Sequence, residues 1–286
     1  MSYADAIQEP AVQTVNIDMY ETGGEEGSGF HVFNMGPNQY HRRDVLQRTG
    51  AVDMTCTLEK VIHGAMAKNS DRYATLLVVR WRFQPKGTRR ISQATIGLAF
   101  SGTYVQVEKI SFEDTYSYMP TTQDETVTRG GEATAGVDQF ASLSATGKWE
   151  KVVSKTTSHA ITLTGGKRLI NNRQPHRIAT WTLSENPSQK AGIPASLRVA
   201  VLVSSLNKAV FDCHVSCECK TDLLTAAEGM FKRIPKDDPI KFQPDPRDRG
   251  THPNMNVSYG DDELGDIDLD DLGDATFRAI LKDGDK

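Results

Sequence analysis

Val52, Met54, Cys56 and Leu58 alternate with Asp53, Thr55, Thr57 and Glu59. A period of two puts apolar side chains on one face of an extended strand and polar ones on the other. Tyr73, Leu77, Val79, Trp81 and Phe83 likewise share a face of a longer stretch whose opposite face carries Arg80 and Arg82. The same pattern predicts strands over residues 14–20, 30–35, 91–100, 103–112, 149–155, 159–164, 178–185, 197–204 and 209–220. Residues 197–203 are apolar on both faces except at Arg198, which marks a strand at the centre of the core. Arg198 there requires a carboxylate or carbonyl oxygens, because an unpaired charge is costly to bury.

The connections between these stretches are short. Residues 85–90 (Pro-Lys-Gly-Thr-Arg-Arg) and the pair Gly165-Gly166 read as hairpin tips, glycine supplying the left-handed backbone that tight turns use. Helical crossovers are lacking between most strands, which argues against an α/β fold. The predicted architecture is all-β: an antiparallel β-sandwich, jelly-roll-like, spanning residues 1–234. Leu223, Ala227, Met230, Phe231 and Ile234 fall at helical spacing and Pro235 forbids continuation, so one C-terminal helix is expected to close the body. Residues 113–147, rich in Thr, Gly, Ser and Asp, read as a long loop.

The character of the chain changes at Pro235. Pro239, Pro244 and Pro246 follow, then the acidic run at 261–274, Asp-Asp-Glu-Leu-Gly-Asp-Ile-Asp-Leu-Asp-Asp-Leu-Gly-Asp. Residues 235–286 hold seven Lys or Arg against fourteen Asp or Glu, a net of −7, which leaves +3 of the chain total of −4 for residues 1–234. A proline-rich linker and an acidic, largely disordered tail are therefore expected, with residues 247–286 dispensable for the stability of the body. At 38% hydrophobic and 24% charged residues the whole has ordinary globular composition. The longest aliphatic run, 199–203, is far short of the roughly 18–20 residues that span a bilayer. No secretory leader pattern is seen at residues 1–10, so no membrane span and an intracellular location, in cytoplasm or nucleus, are expected.

Candidate chemistry is sparse. Cys213, Cys217 and Cys219 lie two and four residues apart on one predicted strand, with Cys56 on another. An extended strand cannot wrap three such thiols round a tetrahedral ion, so they are expected as buried, reduced core residues. From Asp266 the acidic run places carboxylates at calcium-loop positions 1, 3, 5 and 9, but Asp271 and Phe277 stand where glycine and a bidentate Glu belong. No nucleophile elbow, zinc-protease, phosphate-loop or dinucleotide motif occurs, and neither a cofactor nor a metal site is expected.

Two sets of residues remain as candidate binding elements. Arg80, Arg82, Lys86, Arg89 and Arg90 surround one predicted hairpin, and Lys167, Arg168, Arg173 and Arg177 with His176 surround another. Brought together they would form an anion-binding patch for phosphates, anionic lipid heads or the protein's own tail. Leu264, Ile267, Leu269, Leu272 and Phe277 are interleaved with acids in the manner of a linear motif that orders against a partner.

Residues 181–203, from Trp-Thr-Leu-Ser-Glu-Asn-Pro to Leu-Arg-Val-Ala-Val-Leu-Val, resemble a stretch of uncharacterised intracellular β-sandwich proteins of filamentous fungi. Residues 235–244 are similar to the end of the shared body of those proteins. The resemblance spans about a quarter of the chain; it implies a common fold and no catalytic residue.

The function expected is that of a non-catalytic intracellular interaction protein, a sandwich scaffold with an acidic partner-binding or regulatory tail. The alternative is a self-assembling, coat-like structural protein, and the third an enzyme with a spatially assembled acid/base site. The partner is expected to be another protein or a second copy, with nucleic acid a weaker alternative.

Overall fold

The computed structural model describes residues 16–17, 32–49, 52–87, 89–118, 150–151, 160–221, 237–245, 254–255 and 259–277. In chain order the strands are β1 Asn16–Ile17, β2 Asp44–Arg48, β3 Val52–Ala65, β4 Tyr73–Pro85, β5 Ile91–Ser101, β6 Gln106–Ile110 and β7 Asp114–Tyr118. They continue with β8 Glu150–Lys151, β9 Ile161–Ile170, β10 Arg173–Ser184, β11 Ser196–Ser205, β12 Phe211–Thr221, β13 Ile240–Phe242 and β14 Asp274–Thr276. Two 3-10 turns, Leu264–Asp266 and Asp270–Leu272, precede β14. The helix predicted at 223–234 and most of the loop predicted at 113–147 lie outside the described residues. The beginning of that loop forms β7 instead.

The strands assemble into two antiparallel sheets, as the alternation predicts. The first runs β1-β12-β5-β10-β9-β7-β8, with β13 also on β12; the second runs β14-β11-β4-β3-β2, with β6 also on β11. β4 pairs with β11 in the second sheet while β5 pairs with β10 in the first. A two-stranded ribbon thus crosses from sheet to sheet in jelly-roll manner. Between the sheets lie Val79, Trp81, Phe83, Trp181, Leu183, Val199 and Val201, all buried. The rings of Trp81 and Phe83 stack at 6.3 Å, and Trp181 Nε1 donates to the Ser111 carbonyl at 2.8 Å, which satisfies its one polar atom.

Both predicted hairpin tips are corrected. Residues 85–90 join β4 of the second sheet to β5 of the first and so form a crossover. It runs beside the 185–195 connection: Phe83 N donates to Ala195 O at 2.7 Å, Ile193 N to Ile91 O at 3.0 Å, and Arg90 pairs with Glu185 at 3.4 Å. Gly165 and Gly166 lie inside β9. A side chain at Gly165 would run into the Phe112 carbonyl, so the glycine permits a close crossing of chains instead of a turn. The turn between β9 and β10 is Asn171-Asn172, with φ of 51° and 56°, the left-handed pair that a type I′ hairpin requires.

The acidic stretch departs most from expectation. Over residues 259–277 it is no disordered tail but a strap across the outer face of the second sheet. Leu264, Leu269 and Leu272 are buried there against Ile62, Leu76, Val78, Ala200 and Leu202, in a cluster separate from the inter-sheet core. β14 then adds to the edge of β11, Leu197 opposite Ala275. The physical reason lies in the sheet: β4 and β11 are apolar on both faces, and the strap covers the face that would otherwise meet water. Its acids Asp261, Asp262, Glu263, Asp266, Asp268 and Asp271 remain exposed between the leucines.

Candidate binding surfaces

The two basic sets are not neighbours. Arg90 precedes β5, whereas Arg177 lies beside the far end of it, because Ile178 is opposite Ala99. About nine residues of strand, about 30 Å, separate them. The first set is largely neutralised within the fold. Arg80 pairs with Glu59 and, at 3.8 Å, with Asp274; Lys86 reaches Asp53 at 2.9 Å, and Arg90 reaches Glu185. Arg82 is exposed and Arg89 half-buried.

The second set is different. β5 flanks β10 only along residues 178–184, and β7 flanks β9 only along 161–165. Beyond those points the β9–β10 hairpin continues as a two-stranded ribbon that carries Arg173, His176 and Arg177, with Lys167 and Arg168 at its base, opposite Ala179 and Ile178. Lys167 is held at the base by the Glu108 carbonyl at 2.9 Å and by Glu113 at 3.0 Å. Among the described residues none forms an ion pair with Arg168, Arg173 or Arg177. Arg168 and Arg173 are exposed, Arg177 half-buried.

The candidate partner-binding residues are engaged in cis. Leu264 is fully enclosed, Leu269 and Leu272 nearly so, Ile267 half-buried, and Phe277 stacks on Tyr118 at 4.1 Å. Polar contacts fix the strap. Asp270 accepts from the Phe112 amide at 2.6 Å and the Tyr116 hydroxyl at 2.7 Å; Arg198 Nε donates to the Leu272 carbonyl at 2.8 Å; Lys109 donates to the Gly265 carbonyl. Arg198 thus finds the carbonyl oxygen that its position in the core strand demanded. Beside the strap an open cleft of about 710 Å³ is lined by Lys109, Glu113, Tyr116, Asp266, Asp268 and Asp270. Burial, then the bond to Asp270, raises the Tyr116 phenol above its ordinary range.

All four cysteines are buried free thiols. Cys217 and Cys219 stand with their sulfurs 3.6 Å apart, and Cys219 lies 3.6 Å from the Met54 sulfur. Burial pushes the thiols of Cys56 and Cys213 well up, so they stay protonated and unreactive. Among the described residues no three His, Cys, Asp or Glu side chains converge as a metal-ligand set.

One polar cluster was not foreseen. His41 and His63 approach Nε2 to Nε2 at 3.0 Å, and His63 Nδ1 meets Thr75 Oγ1 at 2.8 Å, with both imidazoles buried. Nearby Arg48 grips Asp237 with two bonds of 2.6 and 3.1 Å, and Arg42 donates to the carbonyls of Val32 and Asp238. These groups tie residues 32–48 to the chain beyond Pro235. The only sequence signal was the polar residue His63 inside an otherwise apolar stretch of β3. No protein-family model matches the chain, and comparison with curated proteins gives no match.

Proposed function

We propose that the protein is a non-catalytic interaction protein whose β-sandwich presents the β9–β10 ribbon to a polyanionic partner. The observation that carries this is the absence, among the described residues, of any ion pair to Arg168, Arg173 or Arg177. Three cations within ten residues of one hairpin give it a positive field, which a phosphate- or sulfate-bearing ligand neutralises. The acidic strap supports the scaffold and keeps its own anionic groups on the other sheet. Binding of full-length protein to heparin and to RNA, with Arg168→Glu, Arg173→Glu and Arg177→Glu combined, tests the proposal. Affinity that falls steeply with salt and is lost in the triple variant is expected; unchanged binding in the triple variant overturns it.

A second function follows from the jelly-roll winding of β4–β5 against β10–β11: self-assembly as a coat-like subunit. A mass in solution that grows with concentration would favour it.

A further inference from the structure

We infer that the polyanion met by the ribbon is an anionic lipid surface, an inference that rests on the ribbon proposal and names its partner. Four connections gather at the end of the sandwich from which the ribbon projects: residues 66–72, 102–105, 171–172 and 206–210. Five large apolar side chains among the described residues are exposed, and three of them, Tyr104 at 61%, Leu206 at 59% and Val210 at 40%, lie in two of these connections. The two touch: a side chain at Gly102 would meet Phe211 Cβ at 2.8 Å, immediately after Val210. Tyr104 sits on a left-handed backbone, φ 59°.

This end therefore combines what a peripheral lipid contact requires. Leu206, Val210 and the Tyr104 ring are placed to enter the headgroup layer, while Arg168, Arg173 and Arg177 meet phosphates. Lys208 stands between the two apolar tips, its ammonium 4.6 Å from the centre of the Tyr73 ring. A nucleic acid accounts for the arginines but not for two exposed aliphatic side chains beside them, since its phosphates and bases reward cations and stacking rings. The acids at this end are few on the ribbon side. Asp212 lies within β12, opposite Ser101, Glu108 is engaged by Arg72, Asp71 is exposed in the 66–72 connection, and Asp261, Asp262 and Glu263 belong to the strap on the outer face of the second sheet.

The test uses the full chain and vesicles of phosphatidylcholine with or without phosphatidylserine, alongside heparin. Wild type should sediment with the phosphatidylserine vesicles and much less with phosphatidylcholine alone. Leu206→Ser with Val210→Ser should weaken vesicle binding about tenfold or more and leave heparin binding unchanged. The triple arginine variant should lose both. Because Leu206 and Val210 are exposed, their replacement does not threaten the fold, and Tyr104→Trp provides an independent readout: its emission should shift to the blue on vesicles. Heparin or RNA binding without vesicle binding would overturn the lipid inference and leave the ribbon proposal standing. Vesicle binding unaffected by the serine variant would also overturn it, and failure to bind any of the probes would remove the ribbon proposal itself.

Discussion

The Tyr116 hydroxyl donates to Asp270 Oδ2 at 2.7 Å and so fastens the acidic strap to the first sheet, while the strand that follows, β14, joins the second. Asp270 Oδ1 takes the Phe112 amide as well. One carboxylate therefore closes an edge of the sandwich. Asp270→Ala leaves two donors without their acceptor and should cost about 1–3 kcal/mol in urea unfolding. Tyr116 adds a pH signature. Its folded phenol titrates above the unfolded value near 10, so its stabilisation is full below that pH and is lost as pH rises through the higher folded value. Tyr116→Phe should flatten the alkaline fall in stability; an unaltered alkaline limb would show that Tyr116 is not the group responsible.

Glu108 sets the acid side. Burial pushes its carboxyl up, but hydrogen bonds from Ser204 and Gln106 and the charge of Arg72 outweigh burial and hold it below the ordinary carboxylate range. A depressed folded value means stability present above the unfolded pKa, near 4.3, and lost as pH falls through the folded value. Glu108→Gln is expected to cost about 1 kcal/mol at neutral pH, since Arg72 is partly exposed and screened. The difference from wild type should vanish in acid. Melting temperatures across that range give the answer.

The strap makes a third expectation concrete. Leu264 is fully enclosed on the outer face of the second sheet, and Leu264→Ala should cost about 2–5 kcal/mol, as large core truncations do. Gly64→Ala should act on the same contact from the other side, because its new carbon would strike the Asp261 carbonyl. Loss of residues 259–277 should expose Leu76, Val78, Ala200 and Leu202 and cause aggregation. A truncated chain as stable and soluble as the whole would mean that the strap is an ornament.

How far the fold was legible depended on range. Trp81, Phe83, Trp181 and Val199 face inward because alternation is a local property, readable from neighbours two apart. Sheet membership is not local. Nothing within residues 85–90 says that β4 and β5 belong to different sheets, so a crossover resembles a hairpin. Gly165 resembles a turn residue because its real partner, Phe112, is distant in sequence. Asn171-Asn172, by contrast, carried a usable signal, two residues tolerant of positive φ between strands. In the strap, acids between Leu264, Leu269 and Leu272 read as a solvated tail. The contrary sign lay elsewhere, in residues 76–78 and 199–203, whose second apolar face needed a cover. Of the candidate anion site, the residue types were legible, but only the ion pairs distinguish the neutralised set at Arg80, Lys86 and Arg90 from Arg168, Arg173 and Arg177, which form none among the described residues.

The final expectation concerns the chain just beyond Pro235. The side chains of Arg48 and Asp237 are almost fully buried, joined by bonds of 2.6 and 3.1 Å, and Asp237 also accepts the Val32 amide at 2.7 Å. Desolvation offsets most of what such a pair gains, but removal of one partner strands the other charge away from water. Asp237→Leu or Arg48→Met alone should therefore cost about 3–5 kcal/mol, the first loosening residues 32–48 together with β13. Arg48→Met combined with Asp237→Leu should recover part of that loss, because two apolar side chains remove the cost of burying two charges, while the Val32 amide still loses its acceptor. Denaturant unfolding of the two singles and the double closes the cycle. A double variant as unstable as the sum of its singles would show that Arg48 and Asp237 stabilise the fold through separate contacts and not as a pair.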